Sequence, residues 1–257
     1  MKSTTRTFEN AAGITLAARI DMPLDGAPEA FALFAHCFTC GKDFKAAANI
    51  SRALTRDRIA VLRFDFTGLG ESGGNFADTT FSSNVGDLVD AAAFLAQTYE
   101  APRILIGHSL GGAAVLQAAA DIPSARAVVT IGAPADPGHV KQHLAGATEE
   151  LLRQGEADVE LAGRRFRIKK AFLDDLDATH MVQTIGGLGR ALLVMHAPLD
   201  TIVGIENATR IFSSAKHPKS FVSLDRADHL LSAAADSQYA GALIAVWSRK
   251  YLPSKKV

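Results

Sequence analysis

The chain has 257 residues, 48% of them hydrophobic and 21% charged, which is enough apolar material for a sizeable core without disulfides or metals to hold it. Ordinary Gly and Pro usage (21 and 9) excludes collagen-like, low-complexity and disordered chains, and 27 Lys and Arg against 27 Asp and Glu leave no net field for gripping a phosphate backbone. Nucleic acid is therefore not an expected partner. The opening MKSTTRTFENAAG carries basic residues without an apolar run behind them, and the long uncharged stretch from Ile104 to Ala120 is interrupted by Gly107, His108, Ser109, Gly111 and Gly112. Neither a secretory signal nor a membrane span is expected, and the cytoplasm is the expected location.

Taken in chain order, short apolar or β-branched runs alternate with amphipathic stretches, the pattern of an α/β protein with a mostly parallel sheet. Strands are predicted at Thr5 to Phe8 and Leu16 to Ile20, an edge hairpin, then at Ala30 to Ala35, Ala60 to Phe64, Ile104 to Gly107, Ala127 to Ile131, Ala191 to His196 and Ser220 to Leu224. Helices are predicted at Ala46 to Arg56, Asn84 to Tyr99, Ser109 to Ala120, Glu206 to Ser213 and Ser237 to Tyr251. The stretch from Ile131 to Ala191 is too long for a simple connection. It reads as an inserted cap at about 137–188, with a helix from His139 to Arg153 and a small hairpin, Val159 to Leu161 and Phe166 to Ile168, around Ala162-Gly163-Arg164. No repeat or linker divides the chain, so residues 1–257 are expected to form a single domain with that insertion.

The sharpest chemical signal is Gly107-His108-Ser109-Leu110-Gly111, a G-x-S-x-G directly after an apolar strand and directly before an Ala-rich helix. A nucleophile at such a turn must stand clear of the sheet, and glycines two residues to either side remove side chains that would clash there. Ser109 is the candidate nucleophile. The backbone N–H of Leu110, at the positive end of the helix dipole, is a candidate oxyanion donor.

A serine hydroxyl needs a base, and the base an orienting carboxylate. His229 follows the last predicted strand and Asp200 follows the preceding one, giving the order Ser, Asp, His. Asp136 is the weaker alternative acid, and Asp225 and Asp228 read as turn residues. His139 and His143 have i, i+4 spacing but no zincin Glu between them, so no metal is expected. The loop after the third strand, Ala35 to Gly41, should supply the second oxyanion donor through the N–H of Phe38, with His36, Thr39 and His108 as candidate pocket residues.

Cys37 and Cys40 lie in that loop and are expected to be buried, reduced thiols rather than a redox pair. Asp65-Phe-Thr-Gly-Leu-Gly-Glu-Ser72 lacks the spacing of a nucleotide-binding loop. The run Arg164, Arg165, Arg167, Lys169 and Lys170 is expected to be compensated on a solvated surface by the acids that follow it.

Together GHSLGG, DFTGLGES, HAPLD and ADHL resemble the α/β-hydrolase superfamily of serine hydrolases, whose fold is an eight-stranded, mostly parallel sheet with helices on both faces. FALFAHCFTCGKD, FSSNV and IGAPADP resemble more narrowly the hydrolase half of bacterial proteins in which an OsmC-like thiol peroxidase domain follows. Carried over, the resemblance implies Ser109, Asp200 and His229 as triad and Phe38 and Leu110 as oxyanion donors. It also implies carboxylesterase activity on short acyl esters of small molecules without a cofactor. An OsmC-like partner domain and a homodimer are the associations it suggests. The sequence ends at Val257, where those relatives run on, so peroxide chemistry is not expected of this chain. The rival reading is a non-catalytic docking or ligand-binding module, and a thioesterase or amidase would use the same residues.

Overall fold

The computed structural model describes residues 1–37, 40–161 and 164–252. In chain order the elements are β1 (Lys2–Glu9), β2 (Thr15–Met22), β3 (Ala30–Ala35), α1 (Lys45–Arg56), β4 (Ile59–Phe64), α2 (Phe81–Thr98), β5 (Ile104–His108), α3 (Leu110–Ala118) and β6 (Ala127–Ile131). After them come α4 (Thr148–Gln154), β7 (Glu156–Leu161), β8 (Arg164–Lys169), α5 (Lys170–Asp177), α6 (Met181–Gly186), β9 (Ala191–His196), α7 (Glu206–Ser214), β10 (Lys219–Ser223) and α8 (Ala234–Arg249). Eight strands form one sheet in the order β1-β2-β4-β3-β5-β6-β9-β10. Only β2 runs antiparallel to its neighbours, β1 and β4; the remaining pairings are parallel.

Composition explains the layering. β3, β4, β5, β6 and β9 are buried at every position, because a parallel strand covered on both faces has no solvated side, and their sequences are accordingly continuous apolar runs. Along β3 the alternation still sorts the two faces. Phe31, Leu33 and Ala35 join Leu88 and Leu95 of α2, Val115 of α3 and Ile211 of α7, while Ala32 and Phe34 join Ile50 and Leu54 of α1 and Ile244 of α8. The outer strand β1 is mostly exposed and rich in Thr, Arg and Glu, as a soluble sheet edge requires.

The predicted strands all form, with β1 and β2 longer than predicted because their pairing continues through polar residues from Lys2↔Met22 to Glu9↔Thr15. α2 begins three residues before the predicted start, since Thr80 and Ser83 cap each other's orphaned amides. Between β6 and β9 the predicted hairpin forms as β7 and β8, paired from Glu156↔Lys169 to Leu161↔Arg164. The predicted helix over 139–153 is replaced by 3-10 turns over Pro137–Ala147 followed by the short α4. The basic run is compensated only in part by the acids that follow it: Lys170 meets Asp174 at 2.6 Å, whereas Arg167 is bound to Asp158 at 2.8 Å and Lys169 to Asp78 at 2.5 Å. Among the described residues no helix is long and apolar enough to cross a membrane.

Candidate active site

Ser109 stands between β5 and α3 with φ 55° and ψ −127°, a left-handed backbone that side chains other than Gly seldom adopt. The turn is packed so tightly that a Cβ at Gly107 would enter the backbone of Gly111, and one at Gly111 would enter the carbonyls of Ala35 and His36. Both flanking glycines are therefore steric requirements, as the spacing implied. The Ser109 amide donates to the Ile131 carbonyl at 2.8 Å, tying the turn to the end of β6. Leu110 opens α3, so its N–H belongs to the first-turn amides that a helix leaves without an internal acceptor.

The structure brings three sequence-distant side chains together. His229 Nε2 lies 3.0 Å from Ser109 Oγ, and His229 Nδ1 lies 2.7 Å from Asp200 Oδ2. The carboxylate accepts from Nδ1–H, which leaves Nε2 as the acceptor for the serine hydroxyl. Asp200 is nearly buried and its other oxygen accepts the amides of Ile202 and Val203, each at 2.9 Å. Burial alone would raise its carboxyl, but the hydrogen bonds from His229 and from these amides outweigh burial and hold it below the ordinary carboxylate range. It is thereby held as an anion beside the imidazole.

Several neighbours do something other than the sequence suggested. His108, expected to line the pocket, is fully buried, and its Nε2–H donates to the backbone carbonyl of His229 at 2.6 Å. Burial, and then the neighbouring His229, push its pKa down to about 3, so it is a fixed neutral donor that anchors the His229 loop. His196 plays a parallel part beneath Asp200, with Nε2–H donating to the Val203 carbonyl at 2.7 Å.

His36 is also buried, and its Nδ1–H donates to the carbonyl of Cys37 at 2.7 Å; burial lowers its pKa and keeps it neutral. It borders a narrow cavity with Phe66, Leu69, Phe81, Leu110 and Ala114. Phe38 and Thr39 lie outside the described residues. Asp136 accepts the Gly138 amide at 2.8 Å, Asp225 accepts from Ser223 and Asp228 from the Ser232 amide, so all three serve local turns. His139 donates to the Ile202 carbonyl at 2.9 Å. Among the described residues no three His, Cys, Asp or Glu side chains are grouped to hold a metal ion.

The expectation of two reduced thiols is not met: Cys37 and Cys40 are joined as a disulfide, with Cα atoms 5.2 Å apart. Two further features escaped the sequence. Gly132, at φ 54° beyond β6, offers a site where a Cβ would stand 3.4 Å from both Asp200 Oδ2 and His229 Nδ1. Only its place after a strand hinted at it. The second is a buried charge cluster behind the β3 loop. Asp65 accepts the Lys42 amide at 2.5 Å, the Lys42 ammonium at 2.7 Å and the Glu71 amide at 3.0 Å, and Glu71 meets the same ammonium at 2.5 Å. Burial opposes ionisation of both Asp65 and Lys42, yet their mutual contacts prevail, lowering the carboxyl and raising the ammonium.

A serine on a strained strand-to-helix turn, hydrogen-bonded through an imidazole to a buried carboxylate at the carboxyl end of a mostly parallel eight-stranded sheet, defines a class of hydrolase. The sequence pattern of the alpha/beta hydrolase family matches residues 32–247, and the chain belongs to that family. It is similar in structure to the esterase domain of a Rhodothermus marinus protein, with 51% identity and a TM-score of 0.81, over 98% of this chain and 100% of that one. It shares its fold with Est1E from Butyrivibrio proteoclasticus, solved with ferulic acid, at 19% identity and a TM-score of 0.77 over 95% of this chain and 99% of that one. The mitochondrial palmitoyl-protein thioesterase ABHD10 of Mus musculus is 29% identical over 185 residues. That match covers 69% of this chain and 61% of the mouse protein's length.

Proposed function

We propose that the protein is a serine carboxylesterase acting on short acyl esters through Ser109, His229 and Asp200. The observation that carries the reading is the unbroken hydrogen-bonded chain from Ser109 Oγ through both ring nitrogens of His229 to Asp200. In the first half-reaction Ser109 Oγ attacks the ester carbonyl while His229 Nε2 takes its proton. The tetrahedral oxyanion is received by the Leu110 N–H and by a second amide from the loop after β3, at position 38. Collapse expels the alcohol, which leaves with the proton returned by His229, and the acyl group stays on Ser109. Water, deprotonated by the same nitrogen, then releases the acid and regenerates the serine. Asp200 holds Nδ1–H in place and stabilises the transient imidazolium.

The cavity beside Leu110, walled by Phe66, Leu69, Phe81 and Ala114, has a volume of about 10 Å³, room for one water-sized group, so the short acyl chain rests on the sequence resemblance and not on this cavity. The 51% identity to an esterase domain supports an oxygen ester. The 137–188 segment acts as a cap: Phe166 packs on Phe76 with ring centroids 4.9 Å apart, and His139 reaches the Asp200 loop at the Ile202 carbonyl.

A thioester is the second reading, favoured by the 29% identity to a protein named as a palmitoyl-protein thioesterase. Turnover of p-nitrophenyl butyrate against butyryl and palmitoyl thioesters separates the two. Ser109→Ala should lower turnover of the preferred substrate by roughly 10⁴-fold or more and abolish fluorophosphonate labelling. Wild-type turnover in that variant would refute the assignment.

A further inference from the structure

Where the end of β3 meets α2 and α3, two polar side chains interrupt the apolar packing, and each holds out an acceptor atom to which no described residue donates. His36 is 1% exposed, and its Nδ1–H is committed to the Cys37 carbonyl at 2.7 Å, so Nε2 is the bare, accepting nitrogen of the ring. Among the described residues no donor reaches that nitrogen. Asp65 Oδ1 lies 3.9 Å away and, as a carboxylate oxygen already accepting the Lys42 amide, has no proton to offer. Asn84 is 6% exposed and stands on the buried stripe of α2 with Phe81, Val85 and Leu88, yet its Oδ1 likewise meets no donor among the described residues. Each buried acceptor left unmet costs the free energy of taking it out of water, so two of them side by side call for a donor.

Both residues line the same cavity, whose other walls are Phe66, Leu69, Phe81, Leu110, Gly111 and Ala114. Its volume is about 10 Å³, close to the minimum that holds one water molecule. We infer that this cavity is a binding site for a single water molecule, which donates one hydrogen to His36 Nε2 and the other to Asn84 Oδ1 and so ties α2 to the end of β3 beside the serine turn.

The chemistry of the two acceptors selects the occupant. They call for two hydrogens on one small atom. An alcohol brings one hydrogen and a carbon for which the cavity has no room, and an apolar guest leaves both acceptors unmet. A cation would bury a charge beside a carboxylate that Lys42 already neutralises. Water alone satisfies both atoms at this size. Its presence also favours one tautomer: a water hydrogen can enter Nε2 only while the ring proton is on Nδ1, which is the form that holds the Cys37 carbonyl. Burial lowers the pKa of the ring and keeps it neutral, in agreement with that role. The site stands apart from the reaction proposed above, since neither acceptor is bonded to Ser109, His229 or Asp200.

The test is a crystal structure of the full chain at a resolution that shows ordered water, together with ¹⁵N spectra of the histidine rings. The expected result is one water peak within hydrogen-bond distance of both His36 Nε2 and Asn84 Oδ1. Asn84→Leu removes one acceptor, and Ala114→Val puts a methyl group against the cavity while leaving both acceptors in place. Each should abolish the peak and move the His36 Nε2 resonance downfield, as expected when an accepted hydrogen is lost. Should either variant fail to fold, the wild-type density and magnetisation transfer between water and the His36 ring decide the matter by themselves. A wild-type cavity without the peak overturns the inference, as does a direct bond from the Asn84 amide to His36 Nε2, or a peak that survives both variants.

Discussion

Replacing Asp65 by Asn removes one charge from a cluster shut off from water, and the outcome can be worked from the contacts. Asp65 is 1% exposed and the Lys42 side chain 2%, so the ammonium cannot regain water when its partner is neutralised. Breaking a buried pair by removing one partner costs about 3–5 kcal/mol, mostly the stranded charge. Glu71 remains 2.5 Å from Lys42 and, at 71% exposed, can follow it, which puts the expected loss near the lower end of that range. The Asn amide brings a second penalty. Oδ1 already accepts the Lys42 amide, and Oδ2 accepts both the Lys42 ammonium and the Glu71 amide, so an NH₂ in either position meets a donor.

A loss of about 3 kcal/mol lowers the melting temperature of a chain this size by roughly 6–12 °C. Urea unfolding at pH 7 measures it directly. The sign with pH is also fixed: the folded carboxyl titrates below its ordinary value of 3.8, so its contribution is complete above 3.8 and fades as pH falls through the depressed value. The wild-type and Asp65→Asn curves should therefore converge in acid. The double change Lys42→Met/Asp65→Leu should recover much of the loss, since it leaves no stranded charge. A single-variant loss under about 1 kcal/mol at pH 7 would refute the reasoning.

Gly107→Ala should disrupt the serine turn, because its Cβ enters the Gly111 backbone, and both soluble yield and turnover should fall sharply; activity above half of wild type would contradict this. Gly132→Ala puts a side chain at a left-handed φ of 54° while its Cβ meets Asp200 and His229 only at ordinary contact distance, 3.4 Å, so stability should fall by about 1 kcal/mol with kcat changed less than tenfold, a split readable from kinetics beside a melting curve. Mild acid should destabilise the fold through His108: with a folded pKa of about 3 against 6.5 unfolded, the unfolded chain binds the proton first below pH 6.5, so stability rises with pH there. Between pH 7.5 and 5.5 that one group accounts for a loss on the order of 1 kcal/mol, and His108→Asn should flatten this part of the urea-midpoint profile.

What was legible in the sequence was what depends on order along the chain. Burial of β3 through β9 could be read from uninterrupted apolar runs, and the sheet then forces the strand ends to one edge. Once Ser109 follows one strand, loops leaving later strands at that same edge are the only places from which Asp200 and His229 can reach it. The contacts that pair side chains across loops were not legible. Lys42 and Asp65 stand 23 positions apart, and they meet because β3 and β4 run parallel in a register that sets Phe34 beside Arg63, delivering both following loops together. A sequence shows that two loops follow two strands; it does not show that the strands are neighbours in that register.

His108 makes the same point at closer range. Its position inside the serine turn was evident, but the direction of its ring was not, because β-strand alternation places a side chain on a face without saying what waits there. In the structure it meets the back of the His229 loop, so the turn that presents Ser109 also holds His229. Gly107, Gly111 and Gly132 bring backbone and side chains close by leaving space empty, while His108, His196 and Asp65 fix loops with buried hydrogen bonds. Buried polar contacts of this kind add little net stability beside the apolar core. Their physical effect is to exclude alternative loop positions, and that is what the proposed proton transfer over the 3.0 Å between Ser109 and His229 demands.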